Sequence, residues 1–171
     1  MCNNQFLSPH FKLSEFTVSR TAEKHGIVNI PPAEAVENLR RLCENTLEPL
    51  REKLGLPIII TSGYRTKALN EILVHAARRS QHMAGCAADF YVAPAQVSGS
   101  KFQVSGHREL LINAFRMIIL DESIDYDQLI IYPSFIHVSY VSKQANRHKL
   151  TKAFGNGKYC ALSREQALTL V

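Results

Sequence analysis

The chain has 171 residues, 46% of them apolar and 20% charged, with a formal net charge of +5 at pH 7. That length supports one domain with a real core and no need of staples, and the composition is that of an ordinary globular protein rather than a disordered one. No stretch approaches the roughly 20 apolar residues that cross a bilayer, and Met1-Cys2-Asn3-Asn4-Gln5 lacks the basic-then-apolar pattern of a secretory signal. No membrane insertion is therefore expected. The protein acts in the cytoplasm or leaves by a route that the sequence does not encode.

Residues 6–18 mix aromatics with Pro9 and a candidate cap at Ser14, which predicts an extended arm and a helical turn packed on the body. Ile30-Pro31-Pro32 sets up a helix start, since proline is tolerated in a first turn. Val36, Leu39, Cys43, Leu47, Leu50 and Leu54 then recur at three- and four-residue steps among charged residues, the stripe of a long amphipathic helix. Pro49 should kink or divide that helix, and Gly55 should end it. Residues 57–62 are a β-branched run typical of a buried strand. The turn Gly63-Tyr64-Arg65-Thr66 follows, leading to a helix over 67–77. Asp89-Phe90-Tyr91-Val92 is the next strand, 94–106 has the composition of a loop, and 108–120 is a second core-facing helix.

Residues 128–132 and 135–141 read as strands of a hairpin joined by Pro133-Ser134. From Ser142 the chain turns polar and basic, with a turn at Gly155-Asn156-Gly157 and a helix start at Ser163-Arg164-Glu165-Gln166. The expected fold is α+β, with helices against one face of a small, mostly antiparallel sheet. One domain spans 1–171, with 142–171 a basic C-terminal extension packed on it or trailing from it. The four cysteines, Cys2, Cys43, Cys86 and Cys160, show no paired spacing and read as reduced thiols. Arg78-Arg79 and Asn146-Arg147-His148-Lys149 are the densest basic spots. They are either solvated surface or a seat for an anionic polymer such as nucleic acid or an acidic cell wall. Aromatic residues do not interleave with them, so no nucleic-acid partner is expected.

Chemistry concentrates in Ser80-Gln81-His82-Met83-Ala84-Gly85-Cys86-Ala87-Ala88-Asp89-Phe90 and in Phe135-Ile136-His137-Val138-Ser139-Tyr140. A lone histidine in an apolar strand is more often a packed core residue than a ligand. Two imidazoles and one carboxylate together, with no fourth ligand in view, resemble a hydrolytic zinc site, in which three side chains hold the ion and one position stays open. A two-residue hairpin loop makes Tyr132 face Phe135, Ile130 face His137 and Gln128 face Ser139. Alternation then puts all six on one sheet face. His75 and His107 are spare candidates.

Ile60-Thr61-Ser62-Gly63-Tyr64-Arg65, then the His82 to Phe90 stretch, then Ile136-His137-Val138-Ser139 closely resemble the zinc D-Ala-D-Ala carboxypeptidase and L-alanyl-D-glutamate peptidase family. Its members cut amide bonds in bacterial cell-wall stem peptides and share their fold with the hedgehog signalling domain. The resemblance runs from about Phe6 to Tyr140 and takes in the arm and the first long helix. It implies Zn2+ as cofactor, with His82, Asp89 and His137 as ligands. It implies Arg65 as the group that takes a substrate carboxylate or the carbonyl oxygen that becomes negative, and a rigid, always-charged guanidinium suits both. Ser80 and Gln81 would contact substrate or support the ligands. Peptidoglycan stem peptides are the implied partner, acted on by a monomer, with a phage-type lysis enzyme one possible context.

One position departs from the family. Members usually carry a glutamate or aspartate shortly before the last histidine as general base, and here Tyr132 takes that place. A phenol is a poor base at neutral pH but donates well to an oxyanion. Asp127, the nearest preceding acid, should point to the opposite face. The alternative function is a zinc-containing binding module of the same fold with weakened or lost catalysis.

Overall fold

A computed structural model of the chain describes residues 5–74, 76–94 and 104–170. Cys2, His75 and most of the expected 94–106 loop lie outside the described residues. The arm forms a small antiparallel pair, β1 (Phe6–Ser8) and β2 (Phe11–Lys12), followed by α1 (Leu13–Thr17) and α2 (Arg20–Lys24). The long amphipathic segment is divided, as Pro49 predicts. α3 (Ala33–Leu42) passes into a π-helical turn at Cys43–Leu47 and then into α4 (Glu48–Leu54), which Gly55 ends in the left-handed region at φ 61°. Leu39, Leu42, Cys43, Leu47 and Leu50 are fully buried.

The π turn has a use. Pro49 has no N–H to offer the Asn45 carbonyl, and that carbonyl instead accepts the Asp125 N–H at 3.0 Å. Beside it, Thr46 Oγ1 donates to the Asp125 carbonyl at 2.5 Å. The break in the helix thus pins the segment that feeds the strand carrying one wall of the site.

β3 (Ile58–Ser62), β4 (Ala87–Val92), β5 (Gln128–Ile131), β6 (Ile136–Ser139), β7 (Lys149–Ala153) and β8 (Tyr159–Ala161) form one sheet in the order β3-β4-β6-β5-β7-β8. Every pairing is antiparallel except β5 with β7. The chain is α+β. The helix expected over 67–77 is shorter: α5 covers Lys67–Ile72, capped by Thr66 Oγ1, and Leu73 is already extended. The helix expected from Arg108 begins earlier, as α6 (Val104–Leu120). α7 (Arg164–Leu168) starts at Ser163 with a reciprocal Ser163–Gln166 capping box.

Strand alternation separates two faces. Ile58, Ala88, Phe90, Val92, Leu129, Ile131, Ile136 and Val138 belong to the buried core cluster, which also takes in Leu111, Ala114, Phe115 and Ile118 of α6. The other face carries Asp89, His137, Gln128, Ile130 and Thr151, which line an open cleft of about 960 Å³. Among the described residues no helix is long and apolar enough to cross a membrane, and Cys43, Cys86 and Cys160 are free thiols.

Candidate metal centre

Antiparallel pairing sets Asp89 of β4 directly opposite His137 of β6, and Ile130 of β5 opposite His137 on its other side, the register that a two-residue hairpin loop predicts. His82 reaches the same point from a 3-10 turn, Gln81–Ala84, which closes at Gly85 with φ +73°. A Cβ on Gly85 would stand 2.3 Å from the Ala35 carbonyl oxygen, so the turn that presents His82 packs backbone to backbone on α3. Gly63 plays a similar part: a Cβ there would meet Phe16 of α1 at 2.6 Å. Gly63 also supplies the carbonyl that accepts the His82 Nδ1 proton at 2.7 Å. That bond leaves the Nε2 lone pair facing the cluster.

His82 Nε2, Asp89 Oδ1 and His137 Nδ1 form a triangle. Its edges are 3.2 Å between the imidazoles, 3.3 Å from His82 to Asp89 and 2.8 Å from His137 to Asp89. Donors placed about 2.0–2.1 Å from a zinc ion at tetrahedral angles stand about 3.3 Å apart, so the three atoms fit one ion with small adjustment. Protonation fits as well. Burial pushes the His82 imidazole below its usual range more strongly than Asp89 raises it, which keeps it neutral. Burial also pushes the Asp89 carboxyl up, but the two histidines outweigh it and hold the group ionised. Neutral imidazoles and a carboxylate are the forms that bind a metal.

Arg65 closes the other side of Asp89. Its Nη2 donates to Asp89 Oδ2 at 2.9 Å, and Nε and Nη2 both reach Ser62 Oγ. Ser62 is available because a bulge at the end of β3 pairs Ser62, not Thr61, with Asp89. The turn itself is nailed by Asn29, whose amide donates to the Thr17 and Tyr64 carbonyls while its oxygen accepts the Thr66 N–H. Nothing local in the sequence marks Asn29 for that role.

Tyr132 lies on the cleft face with its ring stacked on Phe135 at 4.2 Å. Its hydroxyl is 3.2 Å from that of Tyr159 on β8. Tyr159 is brought there by β8, where it pairs with Ala153 of β7, the strand that lies alongside β5. Burial and the Tyr159 hydroxyl push the Tyr132 phenol well above its usual range, so it keeps its proton. Ser80 lines the cleft as the residue before the 3-10 turn.

Asp127 does not point away from the cleft. It precedes β5 by one residue, so ladder alternation does not govern it, and its carboxylate lines the cleft floor. Gln81 Nε2 donates to its Oδ2 at 2.8 Å, and Arg147 grips both oxygens. Burial raises its carboxyl, but Arg147 and Gln81 prevail and bring it down to about 2. A carboxylate so engaged is a poor proton acceptor. Arg147 belongs to the basic run whose sequence allows either a solvated surface or an anion seat, and Tyr159 carries no signal in the sequence. His107 is not part of the cluster; its Nε2 lies 3.0 Å from the Ser134 carbonyl.

No curated protein matches the chain. The sequence model of one family, Peptidase M15, matches residues 9–113, more than half of the length. The matched span includes β2 of the arm, α3, the Arg65 turn, His82 and Asp89, while β1, His137, Tyr132 and the last four strands lie outside it. A match over more than half of the length makes this chain a member of the peptidase M15 family.

Proposed function

We propose that the protein is a zinc-dependent metallopeptidase that hydrolyses amide bonds in peptidoglycan stem peptides, as a D-Ala-D-Ala carboxypeptidase or an L-alanyl-D-glutamate-type endopeptidase. The observation that carries the reading is the donor triangle of His82, Asp89 and His137 at the floor of an open cleft. These three would hold the ion. Bound there, zinc supplies Lewis acidity toward a peptide carbonyl and lowers the pKa of water.

The chain's own groups divide the remaining work. Gly63 fixes the tautomer and plane of His82. Arg65 orients Asp89 through Nη2 and keeps Nη1 for a substrate carboxylate or a developing oxyanion. Tyr132, held in its protonated form, donates to an oxygen that gains charge or to a leaving amine. Gln81 braces the floor through Asp127, and Ser80 meets substrate at the rim.

A specific observation favours a second reading, a zinc-containing binding module with weakened catalysis. Tyr132 stands where relatives carry the acidic base, and among the described residues both cleft carboxylates, Asp89 and Asp127, are committed to other partners. Loss of general-base assistance costs about 10²- to 10⁴-fold in rate. Incubating the zinc-loaded protein with purified muropeptides separates the two readings. Release of D-alanine or a shortened peptide supports the enzyme, and binding without product supports the module. Metal analysis tests the centre itself: His82→Ala and Asp89→Ala should both come off purification without zinc, and wild-type zinc content in both sinks the ligand assignment.

A further inference from the structure

Asp127 is a carboxylate sunk in the cleft floor, 1% exposed, yet its partner Arg147 has a side chain 57% exposed. The Arg147 backbone N–H and Nε donate to Oδ1 at 2.9 and 2.8 Å, and Nη2 donates to Oδ2. A buried carboxylate is costly unless hydrogen-bonded on every side, and this fork fixes the plane of the guanidinium it holds. Among the described residues Nη1 of Arg147 has no partner. Arg65 repeats the arrangement elsewhere in the same cleft: Nε and Nη2 are used on Ser62 and Asp89, and Nη1 has no partner among the described residues. Arg65, Arg79, Arg147 and Lys149 all line the cleft, against Asp89 and Asp127. Each carboxylate is matched by one arginine. Arg79 and Lys149 therefore stand as excess positive charge before any metal ion is counted. The β5–β7 register sets Lys149 beside Gln128, two residues from Arg147.

We infer that Arg147, oriented by Asp127 and flanked by Lys149, is a second anion-binding point of the cleft, so that the ligand is an acidic peptide with a carboxylate remote from the one that Arg65 takes. The inference rests on the stem-peptide reading above and narrows it to stems whose acidic groups are free rather than amidated. An anchored guanidinium loses little freedom on binding, so its free donor is pre-organised. Asp127 is then a positioning residue, which accounts for a carboxylate kept in the floor with no freedom to act as a base.

The test uses two probes on the full zinc-loaded chain. Both are the pentapeptide L-Ala-γ-D-Glu-L-Lys-D-Ala-D-Ala with N-methylated amides to block cleavage, one with the glutamate α-carboxylate free and one with it amidated. Titration calorimetry should show the free acid binding about tenfold more tightly, the worth of one charge-assisted hydrogen bond. Arg147→Gln should bring the two probes level, and Arg147→Lys should keep part of the preference. Because Arg147→Gln leaves Asp127 unpaired, the double variant Asp127→Asn/Arg147→Gln is measured beside it and should also show no preference. Equal affinities in the wild type, or an undiminished preference in the folded double variant, overturn the Arg147 site. Intact preference without muropeptide hydrolysis overturns only the peptidase reading. No binding of either probe overturns both.

Discussion

Asp89 works with both oxygens. Oδ1 belongs to the donor triangle, while Oδ2 is held by Arg65 at 2.9 Å. On the zinc reading, the guanidinium would set which oxygen faces the ion. Partners of this kind typically change metal affinity about 10- to 100-fold when lost. Arg65→Lys, which keeps the charge but not the fork, should weaken zinc by that order in a chelator competition. Unchanged affinity would confine Arg65 to substrate. Asp127 yields a pH prediction. Its folded pKa, about 2, lies below the unfolded value of about 3.9. The group therefore contributes stability that is fully present above about pH 4 and is lost as pH falls toward 2. Denaturant midpoints measured from pH 6 to pH 2 should fall across that window in the wild type. The fall should be shallower in Asp127→Asn.

At the scale of elements, the site depends on three local irregularities. The π turn before Pro49 frees the Asn45 carbonyl to hold Asp125, the bulge in β3 brings Ser62 level with Asp89, and the left-handed Gly85 lets the His82 turn touch α3. Gly85→Ala adds a methyl 2.3 Å from a backbone oxygen at a φ that side chains rarely adopt. It should cost about 2–4 kcal/mol in chemical denaturation and loosen zinc with it. Pro49→Ala offers the Asn45 carbonyl a competing N–H. Hydrogen exchange at the Asp125 amide should then speed up while that of the β3–β4 pair stays unchanged. Equal protection in both proteins would show that the π turn persists without proline.

Across the whole molecule, one sheet has a sealed face and a working face. The last thirty residues extend both: Leu150, Ala167 and Leu170 join the core, while Arg147, Lys149, Thr151 and Tyr159 complete the cleft. Removing 142–171 would leave β5 as an unpaired edge and uncover apolar surface. The truncated chain should lose cooperative thermal unfolding and elute as aggregate in size exclusion. A stable monomer that retains zinc would make the extension an accessory to the cleft alone.

The sequence by itself determined whatever depends on neighbours a few residues apart. The stripe from Val36 to Leu54, the division at Pro49 and the β5–β6 register follow from helical period, a missing N–H and a two-residue loop. The resemblance, resting on contiguous motifs, nominated the three donors. Only the tertiary structure decided the rest. Asp127 escaped ladder alternation because it stands one residue outside the ladder, and which of its two readings the Arg147 run takes was decided by the parallel strand that carries it to the cleft wall. Tyr159 met Tyr132, twenty-seven residues away along the chain. Pairings between distant segments leave no periodic trace in either partner, since each strand's pattern records which of its faces is buried and not which strand lies beside it.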